Sequence, residues 1–510
     1  MNPSASAAAV DAPPVAAAPA VSKSIWEPLP ASAWDADAAR HLLRRAGWTA
    51  RPEDVERATA DGLSRTLDRL FPATATSFPK PQLVAGIEGD ELDFFKRIRA
   101  ADEMQKRVLR KEMRDRFQQS YQDLVMKWLQ FAAEPGNAAM EKWILFLSDV
   151  YVVAYEKIRN PSLLFQHQAI LRQQGLGPAP VLTKAVSRSP AMVDYLDLKE
   201  SKKDAPNENF ARELFELFVL GEGNYTEADI KEAARAFTGY RQAFGRYFFA
   251  RAQHDTSSKK VFGKSGPFDG DAVIDLAYQQ PAARTFLPKE MIRFYLSETP
   301  LPADQVKELG DWWQGAHFNL RALLHRFFGS QLFYSASYRS NYIKSPIQFY
   351  LGLVQDLNLD VAPLPRQVIN VLRQMGQMPL NPPNVRGWVG GRSWINSSTL
   401  GARRQLVQAL FSPINEANLN ADEEIELVGA RAEGRDHFTF STERLRDYQT
   451  ATPREAAVRL VRTFLPVPAE SVYADTLTKF VAGKKPQETS LDHTRTALVT
   501  LLESPEYQLC

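Results

Sequence analysis

Apolar residues recur every three or four positions along most of this chain, the period of a helix rather than the alternation of a strand. The densest such stretch covers 206–239 and reads P-N-E-N-F-A-R-E-L-F-E-L-F-V-L-G-E-G-N-Y-T-E-A-D-I-K-E-A-A-R-A-F-T-G. At about 100° per residue, Phe210, Ala211, Leu214, Phe215, Leu217 and Phe218 fall on one side of a helix, with Glu208, Arg212, Glu213 and Glu216 on the other. Asp204 or Asn207 is placed to cap its start with Pro206 in the first turn, and Gly221 supplies a left-handed residue to end it. Thr226, with Asp229 three residues on, then caps a second helix whose Ile230, Ala233, Ala234 and Phe237 share a face, and Gly239 stops it. The segment is predicted to be a helical hairpin.

From Glu91 to Ala132 few helix breakers occur, and Met104, Val108, Met113, Phe117, Tyr121, Leu124 and Trp128 mark one long helix or two nearly continuous ones. Further helices are expected around 36–47, 53–70, 140–156, 271–280, 303–314, 318–329, 346–358, 365–375 and 401–411. Strand signals are sparse, with 247–250 the best short candidate. The expected fold is mainly α: a multi-helix globular core built from helical hairpins, with little or no sheet. Residues 1–24 read as a disordered Ala/Pro-rich tail and 25–414 as the main helical domain. The acidic and polar stretch 415–450 reads as a linker or insertion, and 451–510 as a small helical C-terminal module.

Composition narrows the partners. With 44% hydrophobic residues the 510-residue chain can bury a large core, and its net charge of +2 gives no global field for nucleic acid or an anionic membrane. The cluster Lys106, Arg107, Arg110, Lys111, Arg114 and Arg116 is interleaved with Glu103, Glu112 and Asp115, the pattern of a solvated, salt-bridged face. The single cysteine, Cys510, excludes intrachain disulfides and thiolate sites needing more than one Cys. The N-terminal stretch has no basic residue before Lys23, and Asp11, Pro13 and Pro14 interrupt its only apolar run, so no signal peptide is expected and a cytoplasmic location is favoured. The longest apolar run, 143–155, is broken by Asp149 and is too short to span a bilayer.

Candidate chemistry concentrates in three places. Paired carboxylates on one helix face suit metal ligation or acid–base work, because proximity raises one pKa and a cation between them relieves it, and Glu208 and Glu213 are the candidate catalytic acids. Asn207, Asn209, Arg212 and Glu216 would complete a polar binding face, although Arg212, one turn after Glu208, equally suits an ion-pair network that simply orders the hairpin. His254 beside Asp255 can act as a base, with Lys259 to bind an anionic group; the alternative is a loop in which Asp255 makes a turn. Trp388 and Trp394 stand in a loop rich in proline and glycine that can hold two indoles in fixed positions, either against a ligand or as plugs of an irregular core. Gly263-Lys264-Ser265 lacks the first glycine of a phosphate-binding loop, and neither G-x-S-x-G nor H-E-x-x-H occurs.

The run P-N-E-N-F-A-R-E-L-F-E-L followed by Y-T-E-A-D-I-K-E-A-A-R-A-F-T-G resembles the hallmark of a bacterial family catalogued as domain of unknown function 1800. Four further stretches agree with it: A-A-R-H-L-L-R-R-A-G-W at 38–48, H-D-T-S-S-K-K-V-F-G at 254–263, N-P-P-N-V-R-G-W-V-G-G-R-S-W-I-N-S-S-T-L at 381–400 and S-P-E-Y-Q at 504–508. The resemblance implies export for many members, and a partner from another uncharacterised family, number 1501. It also implies Trp-His-Asn-His-Phe after an E-K-M-like start and a further histidine ahead of the P-N-E-N helix. Here Ser148, Val150 and Gln174 stand at those histidine positions. No metal ligand is therefore assigned and no cofactor is expected, since valine binds no metal and Ser and Gln bind it weakly.

Two readings of function stay open. One is a helical binding or assembly protein, a degenerate family member whose polar Glu/Arg/His pocket persists without metal. The other is a hydrolytic or redox enzyme using Glu208 or Glu213 with His254.

Overall fold

Helix forms nearly everywhere the apolar period predicts it. The computed structural model describes residues 24–448, 452–468, 471–483 and 490–510. The expected N-terminal tail, but for Ser24, lies outside them. The protein is mainly α, and among the described residues sheet is confined to two antiparallel hairpins. One pairs Tyr240–Ala243 with Arg246–Phe249, overlapping the anticipated strand; the other pairs Lys259–Val261 with Lys264–Gly266.

The long helical stretch is two helices, Gln82–Ala100 and Glu103–Ala133, because Asp102 opens the second with a capping box to Gln105. The helix expected over 140–156 runs Ala138–Val150 instead, and its C-cap Tyr151 leaves the helical region before the short turn Tyr155–Ile158. Val152 and Val153, β-branched and stiff at χ1, lie in the non-helical stretch between them. The stretch 415–450 contains a helix, Ala421–Ala432, capped by Asn420 and packed through a local cluster of Leu427, Ala430 and Phe438. The C-terminal helices are Pro453–Phe464, Val472–Ala482 and Ser490–Leu502.

One continuous core runs from Trp26 to Tyr507. At its centre lies the helix Ala138–Val150, buried on nearly every side, as its almost unbroken apolar sequence requires. The N- and C-terminal motifs meet beside it. Arg45 of the helix Ala36–Ala46 donates to the carbonyls of Tyr295 (2.9 Å), Tyr338 (2.6 Å) and Cys510 (3.0 Å), and to Asn341. Arg403 donates to Gln508 (3.1 Å) and to the Lys344 carbonyl (2.8 Å). Tyr507 donates to Asp356 at 2.7 Å. Several residues that make those motifs distinctive thus hold the two ends of the fold together.

Candidate functional site

The acid-rich helix departs from a regular period in its middle. Asn209–Glu213 is α-helical, but Leu214–Val219 is a π-helix, in which the Leu220 amide reaches back five residues to the Phe215 carbonyl. The wider turn divides the polar residues that 3.6-residue spacing places together. Arg212 forks onto Glu227 of the next helix (2.8 Å from each terminal nitrogen) and touches Glu208 at 3.3 Å. Glu216 instead accepts from Tyr225 (2.7 Å) and from Arg386 (2.7 Å), which comes from the tryptophan loop. Glu213 lies between these groups, and burial, reinforced by Glu216, pushes its carboxyl up. Asn207 accepts from the Asn209 amide at 2.9 Å, and Asn209 donates to Asp197 at 3.2 Å, so both order the helix start. Thr226 and Asp229 form the predicted capping box.

His254 and its neighbours are bound into a different set of contacts. The His254 ring is hydrogen-bonded through Nδ1 to the Thr238 carbonyl at 2.9 Å and packs against Phe249. Asp255 accepts from Arg235 (2.8 Å) and from the Ser257 amide (2.9 Å), a tight Asx turn; burial opposes its charge, but Arg235 and Ser257 together hold its carboxyl well below the ordinary range. Lys259 donates to the carbonyls of Asp255 (2.6 Å) and Ser257 (3.0 Å). Among the described residues, none of these hydrogen bonds or ion pairs reaches Glu208, Arg212 or Glu213.

A cavity of about 660 Å3 opens where the π-helix, the end of Ala138–Val150, the helix Ala283–Tyr295 and the loop 384–391 come together. Of the predicted site residues, Glu216 and Trp388 line it. Trp394 lies just behind, in a water-sized space shared with Lys142 and Asp149. Both indoles are buried, at 6% and 7% exposure, so they act as plugs of the core, and Trp388 also offers an edge to the cavity.

Asp149 is the residue the sequence reading passed over. It interrupts the longest apolar run, and that interruption was its only signal. Its Oδ1 accepts the Trp388 amide at 2.7 Å, while Oδ2 has no hydrogen-bond partner among the described residues. Burial pushes its carboxyl up to about 7, against the pull of the Trp388 amide and Arg293. The loop comes this close only because of glycine. Gly387 has φ 80° and Gly391 φ 67°, and a Cβ would collide with the Asp149 carboxylate at the first and with that of Glu298 at the second.

Charge around the cavity is unbalanced. Asp149, Glu216, Glu222, Glu290 and Glu298 face Lys289, Arg293 and Arg386. Arg386 bridges Glu216 and Glu222 at 2.7 and 2.6 Å, Arg293 pairs with Glu290 at 2.7 Å, and Glu298 stands 3.9 Å from Arg392. The wall can thus hold a cation, and Asp149 can exchange a proton near neutrality.

Of the three positions where the resemblance implies histidine, Val150 lines the cavity next to Asp149. Ser148 donates to the Ile144 carbonyl (2.7 Å) and accepts from Gln168 (2.8 Å), and Gln174 is not part of the cavity wall. Among the described residues, no three His, Cys, Asp or Glu side chains are grouped to hold a metal. No helix among them is long and apolar enough to cross a membrane.

No curated protein and no solved structure matches the chain. A family model does, over residues 41–509, which takes in the central helix, the π-helix hairpin, the tryptophan loop, the C-terminal motif and all but the first three residues of the N-terminal one. The chain therefore belongs to the family described as "Protein of unknown function (DUF1800)".

Proposed function

We propose that this is a binding protein whose working site is the cavity beneath the loop 384–391, and that it takes a small polar ligand by a cationic group set against Asp149. One observation carries this reading: Asp149, whose Oδ2 has no hydrogen-bond partner among the described residues, lines a cavity of ligand size whose wall is otherwise largely ion-paired. A ligand cation there restores the charge that burial disfavours. The P-N-E-N helix contributes through Glu216, while Glu208 and Arg212 brace the hairpin from outside. Where the protein acts in an assembly, the partner from family 1501 is the one to test, by co-purification with and without ligand.

The test is calorimetric titration with small primary amines and their neutral isosteres. The amines are expected to bind, and Asp149→Asn to weaken them about tenfold, as for loss of a charged hydrogen bond. Equal binding of amines and isosteres would reject the proposal.

The enzyme reading retains one support, and it concerns Asp149 rather than Glu208 or Glu213 with His254. A carboxyl at about 7 suits general acid–base catalysis at neutral pH. Turnover of a bound amine that vanishes in Asp149→Asn, with binding of the neutral isostere intact, would favour it.

A further inference from the structure

Once its ion pairs are drawn, the cavity leaves two charges over. Arg386 is taken by Glu216 and Glu222, Arg293 by Glu290, and Glu298 is neighboured by Arg392. Among the described residues, Asp149 has no cation within ion-pair distance. Lys289, on the helix Ala283–Tyr295, has neither a hydrogen bond nor an ion pair among the described residues. The leftovers are of opposite sign and line the same space. They differ in mobility: the Asp149 carboxyl is fixed by the Trp388 amide, whereas Lys289 is exposed on a long flexible stem.

The same wall also carries apolar side chains, among them Phe146, Val150, Leu220, Phe286, Phe294 and Trp388. A single small amine would leave Lys289 and this surface unused. About 660 Å3 accommodates a molecule larger than one amino acid. We infer that the ligand is an amphipathic zwitterion, a short peptide with apolar side chains, whose ammonium group meets Asp149 and whose carboxylate meets Lys289. This rests on the cavity being the binding site. The fixed pole sets the position of the ammonium group, and the mobile one lets the carboxylate lie at more than one distance.

The probe is phenylalanyl-leucine, compared with its N-acetyl form and its C-terminal amide, each titrated calorimetrically into the wild-type chain, Asp149→Asn and Lys289→Gln. The parent peptide should bind the wild type, and each capped form should bind about tenfold more weakly, the scale of losing one charged contact. Asp149→Asn should erase the penalty for N-acetylation and Lys289→Gln the penalty for amidation, while each leaves the other penalty in place. Lys289 is exposed, so its variant is not expected to disturb folding, which circular dichroism checks. If the amide binds as well as the parent, or Lys289→Gln changes nothing while the N-acetyl penalty stands, the zwitterion is overturned and the cation site survives. If no form binds, both fall.

Discussion

The helix Ala138–Val150 carries charge at both ends, and the two ends treat it in opposite ways. Near its start Glu141, 1% exposed, is fully engaged: Arg172 donates to its two oxygens at 2.9 and 2.5 Å, and the Trp128 indole donates at 2.7 Å. Lys142 beside it donates to the Gly47 carbonyl at 3.0 Å, and burial pulls its pKa down to about 7. At the far end Asp149 has one backbone donor, and its other oxygen has no hydrogen-bond partner among the described residues. A buried charge whose hydrogen-bonding capacity is used up belongs to the fold, whereas one left partly unused beside a cavity is available to a ligand. Arg44 and Arg45 of the terminal seam follow the first pattern, mostly with backbone carbonyls as acceptors, whereas Arg403 beside them keeps one buried Nε without a hydrogen-bond partner among the described residues.

The largest effect should come from breaking the satisfied end. Arg172→Ala leaves Glu141 buried with only the Trp128 indole, and a broken buried pair costs about 3–5 kcal/mol. Urea unfolding should show that loss while the cavity keeps its affinity for the ligand in whatever fraction stays folded. A change under about 1 kcal/mol would mean that Glu141 finds another partner or water.

Next comes Gly387→Ala. It adds a side chain at positive φ and drives a Cβ into the Asp149 carboxylate, so the loop must lift. We expect a stability loss of about 2 kcal/mol, from strain and overpacking together, and loss of amine binding. Retained binding would show that the loop does not shape the site.

Asp149→Asn should act in the other direction on stability. The folded chain keeps a proton on Asp149 up to about 7, whereas the unfolded carboxyl gives it up near its ordinary value of 3.8. The wild type therefore loses stability from this group as pH rises between those values, and the loss is complete above pH 7. The variant should match the wild type near pH 4 and exceed it by about 1–3 kcal/mol above pH 7. His41 and His167, lowered by burial to about 3 and about 4, pull the other way: both forms lose stability as pH falls below 6.5. Cation affinity at Asp149 should follow its deprotonated fraction and rise about tenfold from pH 6 to pH 8. A flat profile would remove Asp149 from the site.

The same contrast explains what was legible in the sequence. The helical period revealed the fold because most helices bury one stripe, and the cap at Thr226 could be read directly. The motif around Asp255 could be read either as a base with its carboxylate or as a turn, and Asp255 does make the turn. The site was only partly legible. Regular spacing groups Glu208, Arg212, Glu213 and Glu216, but the chain takes a π-turn over Leu214–Val219, and of the four only Glu216 reaches the cavity wall. Asp149 was hidden by its surroundings: a lone acid in an apolar run looks like an interruption until the loop 384–391, more than two hundred residues away, is folded over it. Lys289 belongs to no motif, and Arg386 lies in the stretch 381–400 without a chemical signature of its own; tertiary contact brings both to the cavity.

The smallest effects should come from the residues with the most conspicuous sequence. Glu208 is about one-third exposed and only 3.3 Å from an arginine that is better held by Glu227, so Glu208→Gln removes a surface contact worth about 0–1 kcal/mol. His254→Ala removes a hydrogen bond to the Thr238 carbonyl and the packing on Phe249, about 1 kcal/mol in all. Neither side chain lines the cavity, and amine affinity should stay within about twofold of wild type in both variants, because only charges at the ligand change its binding appreciably. Calorimetry on the folded variants decides it. A tenfold loss in either, with the circular dichroism spectrum unchanged, would reunite His254 with the acid helix as one working site and move the function away from Asp149.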